Sequence, residues 1–219
     1  DTNNENVAKK IISQTQTNKL DIGYKFGLEF FYSQNGRKFI SKLNKKKIFF
    51  AKENRIHEYQ LPLSRIFPSA KYLYVYRDPR DMALSWKKGH AMRGGVVKSS
   101  HTWLNDQLGF LQMRSYLGSA HVPVFSYEKL LASPGSILSE ACEQLGLEFQ
   151  ESMLDFHLNE RVKKNAKAGL DWKNIARPLM VNNSGKYRAE LTGDEIQYVE
   201  NVCWELMINM GYTPESEKL

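Results

Sequence analysis

Two short apolar runs separated by a helical segment are the feature that most constrains how this chain can fold. Residues 47–52 and 73–76 have the length and the apolar character of buried strands. Between them, residues 61–67 carry apolar side chains at helical spacing and end before Pro68. A third strand is predicted at residues 122–126. Because strand, helix and strand in this order are typical of a parallel unit, the sequence predicts an α/β fold with a short parallel β-sheet.

Further helices are predicted from apolar residues that recur three and four positions apart. They cover residues 81–88, 100–117, 135–145 and 193–210. Capping residues support these boundaries: Ser133 and Pro134 precede the third helix, Gly146 follows it, and Thr192 precedes the fourth. We therefore expect helices to flank the short sheet.

The composition is that of an ordinary globular domain. Of the 219 residues, 42% are hydrophobic and 25% are charged, which is far from the signature of disorder. We expect one domain over residues 1–219, in which residues 1–45 form a polar lead-in that covers the acceptor site. Cys142 and Cys203 lie among apolar residues of predicted helices, so free thiols are expected.

The charge distribution and the hydropathy argue against a nucleic-acid-binding protein and against a membrane-spanning protein. The net charge of +7 favours anionic ligands, but the basic residues are scattered and form no nucleic-acid-binding pattern. A nucleic-acid-binding module is therefore only a third alternative, and no nucleic-acid partner is expected. No run approaches the roughly 18 apolar residues of a membrane span, and residues 1–6 lack a signal pattern, so we expect a cytoplasmic protein.

The most informative segment begins where the run at 73–76 ends. Arg77 follows that strand, Pro79 marks a helix start, and Ser85 lies about two turns further on. Parallel sheets bind ligands at the carboxyl ends of their strands, where a helix start offers backbone N–H groups to an anion. The guanidinium of Arg77 can form paired hydrogen bonds with a phosphate, and Ser85 can donate from the side.

Four ordered blocks carry a resemblance to a known family. Arg77, Asp78, Pro79 and Ser85 resemble the 3'-phosphate-binding motif of sulfotransferases that use 3'-phosphoadenosine-5'-phosphosulfate (PAPS). Three other blocks follow the order expected for that family. One is residues 67–71, and a second combines residues 126–130, Pro134 and residues 145–147. The last combines residues 184–188, 191–192 and 211–212. The resemblance covers residues 46–212 and implies a P-loop-NTPase-like sulfotransferase fold.

The resemblance also implies a reaction and its residues. A sulfuryl group would pass from PAPS to a hydroxyl or amine of a small-molecule or glycan acceptor, without a metal, and adenosine 3',5'-bisphosphate would be released. Arg77 and Ser85 would hold the 3'-phosphate, and Tyr127 would contact the adenine region. The residues that would close over the same phosphate, through backbone N–H groups and positive charge, are Gly185, Lys186, Tyr187 and Arg188.

The sequence departs from the family pattern in two places. No loop rich in Gly, Ser or Thr with a basic residue follows a first strand, and the glycines at 94 and 95 are better interpreted as a surface turn. We expect that a strand, loop and helix for the 5'-phosphosulfate precede Asp1 in the natural protein. Met180, Val181 and Asn182 stand where the family has a basic pair and a glycine.

Two residues are candidates for the catalytic base. Lys52 matches a lysine that the family places near the acceptor, and its usual histidine position is Asn54 here. Glu53 could act as the base if burial raised its pKa, whereas His57 needs no such tuning but lies farther along the chain. The alternative function is that of a non-catalytic relative that binds nucleotide or sulfated polysaccharide. The sequence identifies neither the acceptor nor the oligomeric state.

Overall fold

The computed structural model describes residues 55–58, 60–89, 94–167 and 174–217. The chain divides into two compact units, Asp1–Ile56 and His57–Leu219, and nearly all described residues belong to the second. The strand predicted at residues 47–52 and the lead-in at residues 1–45 lie outside the described residues. A single sulfotransferase-like domain over the whole chain stays a prediction.

The described part of the chain contains two strands among several helices. In chain order these are α1 (Gln60–Ile66), β1 (Tyr74–Tyr76), α2 (Pro79–Lys88), α3 (Gly95–Leu117), β2 (Val124–Ser126), α4 (Tyr127–Ala132), α5 (Pro134–Leu145), α6 (Glu160–Ala166), α7 (Tyr187–Glu190) and α8 (Gly193–Asn209). Single turns of 3-10 helix occur at Ile56–Glu58, Ser119–His121, Glu151–Met153 and Phe156–Leu158.

The four long helices are confirmed, but three begin earlier than the hydrophobic pattern predicts, α5 by a single residue. Helix α2 begins at Pro79 because the side chain of Asp78 accepts the backbone N–H of Arg80, and proline suits the first helical turn. Helix α3 begins at Gly95, directly after Gly94, which has a φ of 99°. Of the two glycines predicted to form a surface turn, only Gly94 precedes the helix, and Gly95 is the first residue of α3.

The two strands pair in parallel. Tyr74 of β1 pairs with Val124 of β2, and Tyr76 pairs with Ser126. The pairing extends one residue before β2, because the carbonyl of Pro123 accepts the N–H of Tyr74 at 3.0 Å. The predicted α/β class with a short parallel sheet is confirmed. Since both strands run the same way, the residues that follow them lie at one edge of the sheet.

A hydrophobic core lies between helices α2, α3 and α8. Val199, Cys203 and Met207 of α8 are fully buried, and their spacing of four places them on one helix face. The other buried members of this core are Ala83, Leu84, Trp103, Tyr187, Leu191 and Leu206. The core therefore holds α2, which begins at the strand edge, against the two longest helices.

A buried ion network joins the start of α2 to the residues that follow α8. Arg80 forms a paired interaction with Asp78, at 3.0 and 2.7 Å, and donates to Glu200 Oε1 at 2.6 Å. Glu200 also accepts the backbone N–H groups of Glu215 and Ser216, at 2.9 and 2.7 Å. These bonds outweigh the opposing effect of burial and hold the pKa of the Glu200 carboxyl below its usual value.

The remaining sequence-based expectations concern thiols and membranes. Cys142 and Cys203 are free and buried, as predicted. Burial raises the pKa of the Cys203 thiol to about 12, so that it packs as a neutral apolar group. Among the described residues, no helix has both the length and the apolar character needed to cross a membrane.

Candidate functional site

Arg77 and Tyr127 come together at the shared carboxyl edge of β1 and β2. The guanidinium carbon of Arg77 lies 4.9 Å from the centre of the Tyr127 ring. Nη2 of Arg77 donates to the carbonyl oxygen of Asn183 at 2.7 Å, and Nδ2 of Asn183 donates to the Tyr127 hydroxyl at 3.0 Å. These three residues thus hold one another in place. Sequence reasoning did not identify Asn183, because a carbonyl contact leaves no residue-type signal.

The guanidinium of Arg77 is oriented but not saturated. Its side chain is 26% exposed, and within the described part of the chain Nη1 donates to no acceptor. Nε is buried and also has no partner among the described residues. The backbone is fixed as well, since the indole N–H of Trp103 donates to the Arg77 carbonyl at 2.8 Å. A fixed cation with unused donors is suited to receive an anion.

The N–H groups at the start of α2 are partly occupied by the protein's own carboxylates. The N–H of Arg80 is bonded to the Asp78 side chain at 2.8 Å, and the N–H of Asp78 donates to Glu128 at 3.1 Å. Glu128 in turn accepts the hydroxyl of Tyr212 at 2.8 Å. The start of α2 thus has fewer free backbone donors than its position suggests.

Asp81 holds residues 185–188, the glycine-containing loop, beside the start of α2. Its buried carboxylate accepts the N–H of Gly185 at 2.6 Å and the N–H of Tyr187 at 3.2 Å. Gly185 has a φ of 72°, which strains any residue that has a Cβ, so the position favours glycine. The two backbone donors that were expected to meet a phosphate are therefore bonded to Asp81.

The other residues of this loop have different environments. Tyr187 is 1% exposed, and its hydroxyl donates to Glu215 at 2.6 Å, so it is an anchor in the core. Arg188 donates to the same carboxylate through Nε at 2.6 Å, and its Nη2 lies 2.5 Å from the same oxygen. These contacts, led by the Tyr187 hydrogen bond, lower the pKa of the Glu215 carboxyl. Lys186 is exposed.

Ser85 is exposed on α2, one turn after Asp81. Residues four apart lie on one helix face, so Ser85 shares the face through which Asp81 contacts the loop. Arg77 continues this row one turn earlier, where its Nη2 lies 3.9 Å from the Asp81 carboxylate. The side of α2 nearest the glycine-containing loop therefore carries Asp81 and Ser85, and Arg77 lies on the same side just before the helix.

The candidate catalytic residues are only partly described. Lys52 and Glu53 lie outside the described residues. His57 lies in the 3-10 turn Ile56–Glu58 and is partly buried. Its ring packs against Gly109 of α3, where a Cβ would come within 2.2 Å of His57 Cδ2. Glycine at position 109 thus makes room for the imidazole.

The described residues form an α/β fold that places the Arg77 side chain at the carboxyl edge of a parallel sheet. A sulfotransferase family model matches residues 26–151, which is more than half of the chain. The chain belongs to the sulfotransferase family, and sulfotransfer is the reaction of that family. The resemblance to sulfotransferases is thereby confirmed. The matched region includes Arg77, Ser85 and Tyr127 and ends before the 185–188 loop.

Proposed function

We propose that this chain transfers a sulfuryl group from PAPS to a hydroxyl or amine of a small-molecule or glycan acceptor. The observation that carries the proposal is Arg77, a guanidinium fixed by Asn183, Tyr127 and Asp81 at the edge where both strands end. Nη1 and the remaining hydrogen of Nη2 provide the paired hydrogen bonds that a ribose 3'-phosphate requires. Membership of the sulfotransferase family supplies the reaction class.

The surrounding residues complete a binding site for the 3'-phosphate. Ser85 supplies a hydroxyl two turns along α2, and the exposed Lys186 adds positive charge from the loop next to it. Tyr127 contacts the adenine region, with its ring held in place by Arg77 and its hydroxyl by Asn183. Arg188 contributes charge at the outer end of the loop, where Glu215 fixes its orientation. Tyr187, although part of the sequence block, acts as the buried anchor of this loop.

The chemical step follows from the donor and the acceptor. The acceptor oxygen or nitrogen forms a bond to sulfur in line with the leaving group, while the bond between sulfur and the bridging phosphate oxygen breaks. Positive charge stabilises the leaving phosphate, and a base takes the acceptor proton. Lys52 is the proposed cation near the acceptor, and Glu53 and His57 are the two candidates for the base. Adenosine 3',5'-bisphosphate is released.

Calorimetric titration tests the binding half of this proposal. Wild-type protein is expected to bind adenosine 3',5'-bisphosphate more tightly than adenosine 5'-monophosphate, which lacks the 3'-phosphate. Arg77→Ala removes two charge-assisted bonds worth about 1.5 kcal/mol each, so affinity for the bisphosphate should fall roughly 100-fold. Lys129→Ala, which removes an exposed positive charge from α4, is the control and should change affinity less than about threefold. Equal affinity of wild type and Arg77→Ala would refute the role of Arg77.

Transfer of labelled sulfate from PAPS to a panel of phenols, amines and glycans tests the catalytic half. Variants Glu53→Gln and His57→Asn distinguish the two bases, because loss of the base should abolish transfer while bisphosphate binding is retained. Binding without transfer to any acceptor would identify the non-catalytic relative that is the alternative function. The cytoplasmic location stays a prediction, which fractionation of the native source can check.

A further inference from the structure

Asp81 is a buried carboxylate to which the proposed chemistry gives no role. It lies at the site of a proposed dianion, which its negative charge repels. A buried carboxylate is costly unless its oxygens are satisfied. Here both oxygens are satisfied by the loop, Oδ2 by the N–H of Gly185 and Oδ1 by the N–H of Tyr187.

These bonds connect parts of the chain that are more than one hundred residues apart. Asp81 is 104 residues from Gly185 and 106 residues from Tyr187, and it belongs to the helix that begins just after Arg77. One side chain thus fixes the loop to the segment that carries the strand-edge cation. Lys186 lies between the two bonded amides, so its backbone is held on both sides.

The distance to Arg77 shows that the same carboxylate also acts on the cation. Oδ2 of Asp81 lies 3.9 Å from Nη2 of Arg77, which is beyond a hydrogen bond but within the range of strong charge interaction. Nη2 is the atom that donates to Asn183, and Asn183 lies two residues before Gly185. The Arg77 guanidinium is therefore connected to residues 183–185 in two ways. It bonds directly to the Asn183 carbonyl, and it lies close to Asp81, which bonds to Gly185.

We propose that Asp81 is a positioning residue, which binds no phosphate itself but holds the 185–188 loop beside Arg77 so that both act on one 3'-phosphate. This inference rests on the proposed function, because it assigns a residue to recognition of the PAPS 3'-phosphate. In this arrangement the backbone N–H groups of Gly185 and Tyr187 bond to Asp81 and not, as expected, to the phosphate. The side chains of Arg77, Ser85 and Lys186 supply the phosphate contacts instead.

The test compares two nucleotides in one variant. Asp81→Asn keeps the size of the side chain, but its amide nitrogen cannot accept an N–H, so one loop bond is lost. Affinity for adenosine 3',5'-bisphosphate should fall at least tenfold, while affinity for adenosine 5'-monophosphate stays within twofold. Partial unfolding would lower both affinities equally, so the ratio reports on the 3'-phosphate alone. Asp194→Asn, which removes an exposed charge at the start of α8, should leave both affinities unchanged.

Amide hydrogen exchange supplies a second measurement. The N–H groups of Gly185 and Tyr187 should be protected in the wild type, and at least one should lose protection in Asp81→Asn. If Asp81→Asn fails to fold, Gly185→Ala takes its place, since it strains the φ of 72° while Asp81 remains. It too should lower affinity for the bisphosphate selectively.

Two results would overturn the inference in different ways. An unchanged or raised preference for the 3'-phosphate in Asp81→Asn would mean that the carboxylate merely repels the ligand, and the proposed function would stand without it. If wild-type protein showed no preference for the 3'-phosphate, the proposed function would fail and this inference with it. Normal exchange protection at Gly185 and Tyr187 would then still establish Asp81 as a structural contact of the loop.

Discussion

Replacing Glu200 by glutamine should lower the free energy of unfolding by about 3 kcal/mol. Glu200 is fully buried and accepts from Arg80, from the N–H groups of Glu215 and Ser216, and from the Ser216 hydroxyl. Breaking a buried ion pair costs about 3–5 kcal/mol, because the remaining charge stays buried. Arg80 retains its paired interaction with Asp78, which places the expected cost at the lower end of that range.

Urea unfolding followed by circular dichroism measures this cost. A slope of about 2–3 kcal/mol per M urea converts it into a midpoint lowered by roughly 1–1.5 M. Glu143→Gln, on the exposed face of α5, is the control and should change stability by no more than about 0.5 kcal/mol. A loss below about 1 kcal/mol in Glu200→Gln would refute the argument that the network stabilises the fold through a buried charge.

Two further predictions concern stability. Thr192→Ala removes the side chain that accepts the N–H of Glu195 in the capping box of α8, and thermal unfolding should show a loss of about 1 kcal/mol, whereas Thr192→Ser should restore most of it. Because the pKa of the Glu200 carboxyl is lowered in the folded protein, its contribution is fully present above its unfolded value of about 4.3 and is lost as the pH falls through the folded value. When urea unfolding is measured from pH 7 to pH 3, the wild-type midpoint should therefore decrease once the pH is below about 4. The decrease should be smaller in Glu200→Gln, and parallel curves for the two proteins would contradict this linkage.

The local elements could be predicted because their signals are short-range. Alternation of apolar residues and capping chemistry located both described strands and the four long helices to within a few residues. The start of α3 was placed five residues late, because Gly95, Lys98 and the serines at 99 and 100 interrupt the apolar spacing. Element ends depend on single hydrogen bonds, which periodicity does not record.

The contacts of the site could be predicted only in part. The strand-edge rule placed Arg77 at the carboxyl edge of the sheet and the family resemblance assigned Tyr127 to the same site, and the structure brings their side chains together. The roles of Asp81 and Asn183 depend on a chain fold that brings residues more than one hundred positions apart into hydrogen-bond distance. A buried aspartate and a carbonyl acceptor look like ordinary helix and turn residues in a sequence, so nothing local distinguished them.

The bond between the Trp103 indole and the Arg77 carbonyl also makes the protein's own fluorescence useful. Trp103 is 1% exposed and its N–H donates to the backbone of Arg77, the residue proposed to bind the 3'-phosphate. A shift in that carbonyl on nucleotide binding would alter the polarity sensed by the excited indole. Emission from this single buried ring, isolated by replacing the other three tryptophans, would follow occupancy of the strand edge without any attached dye.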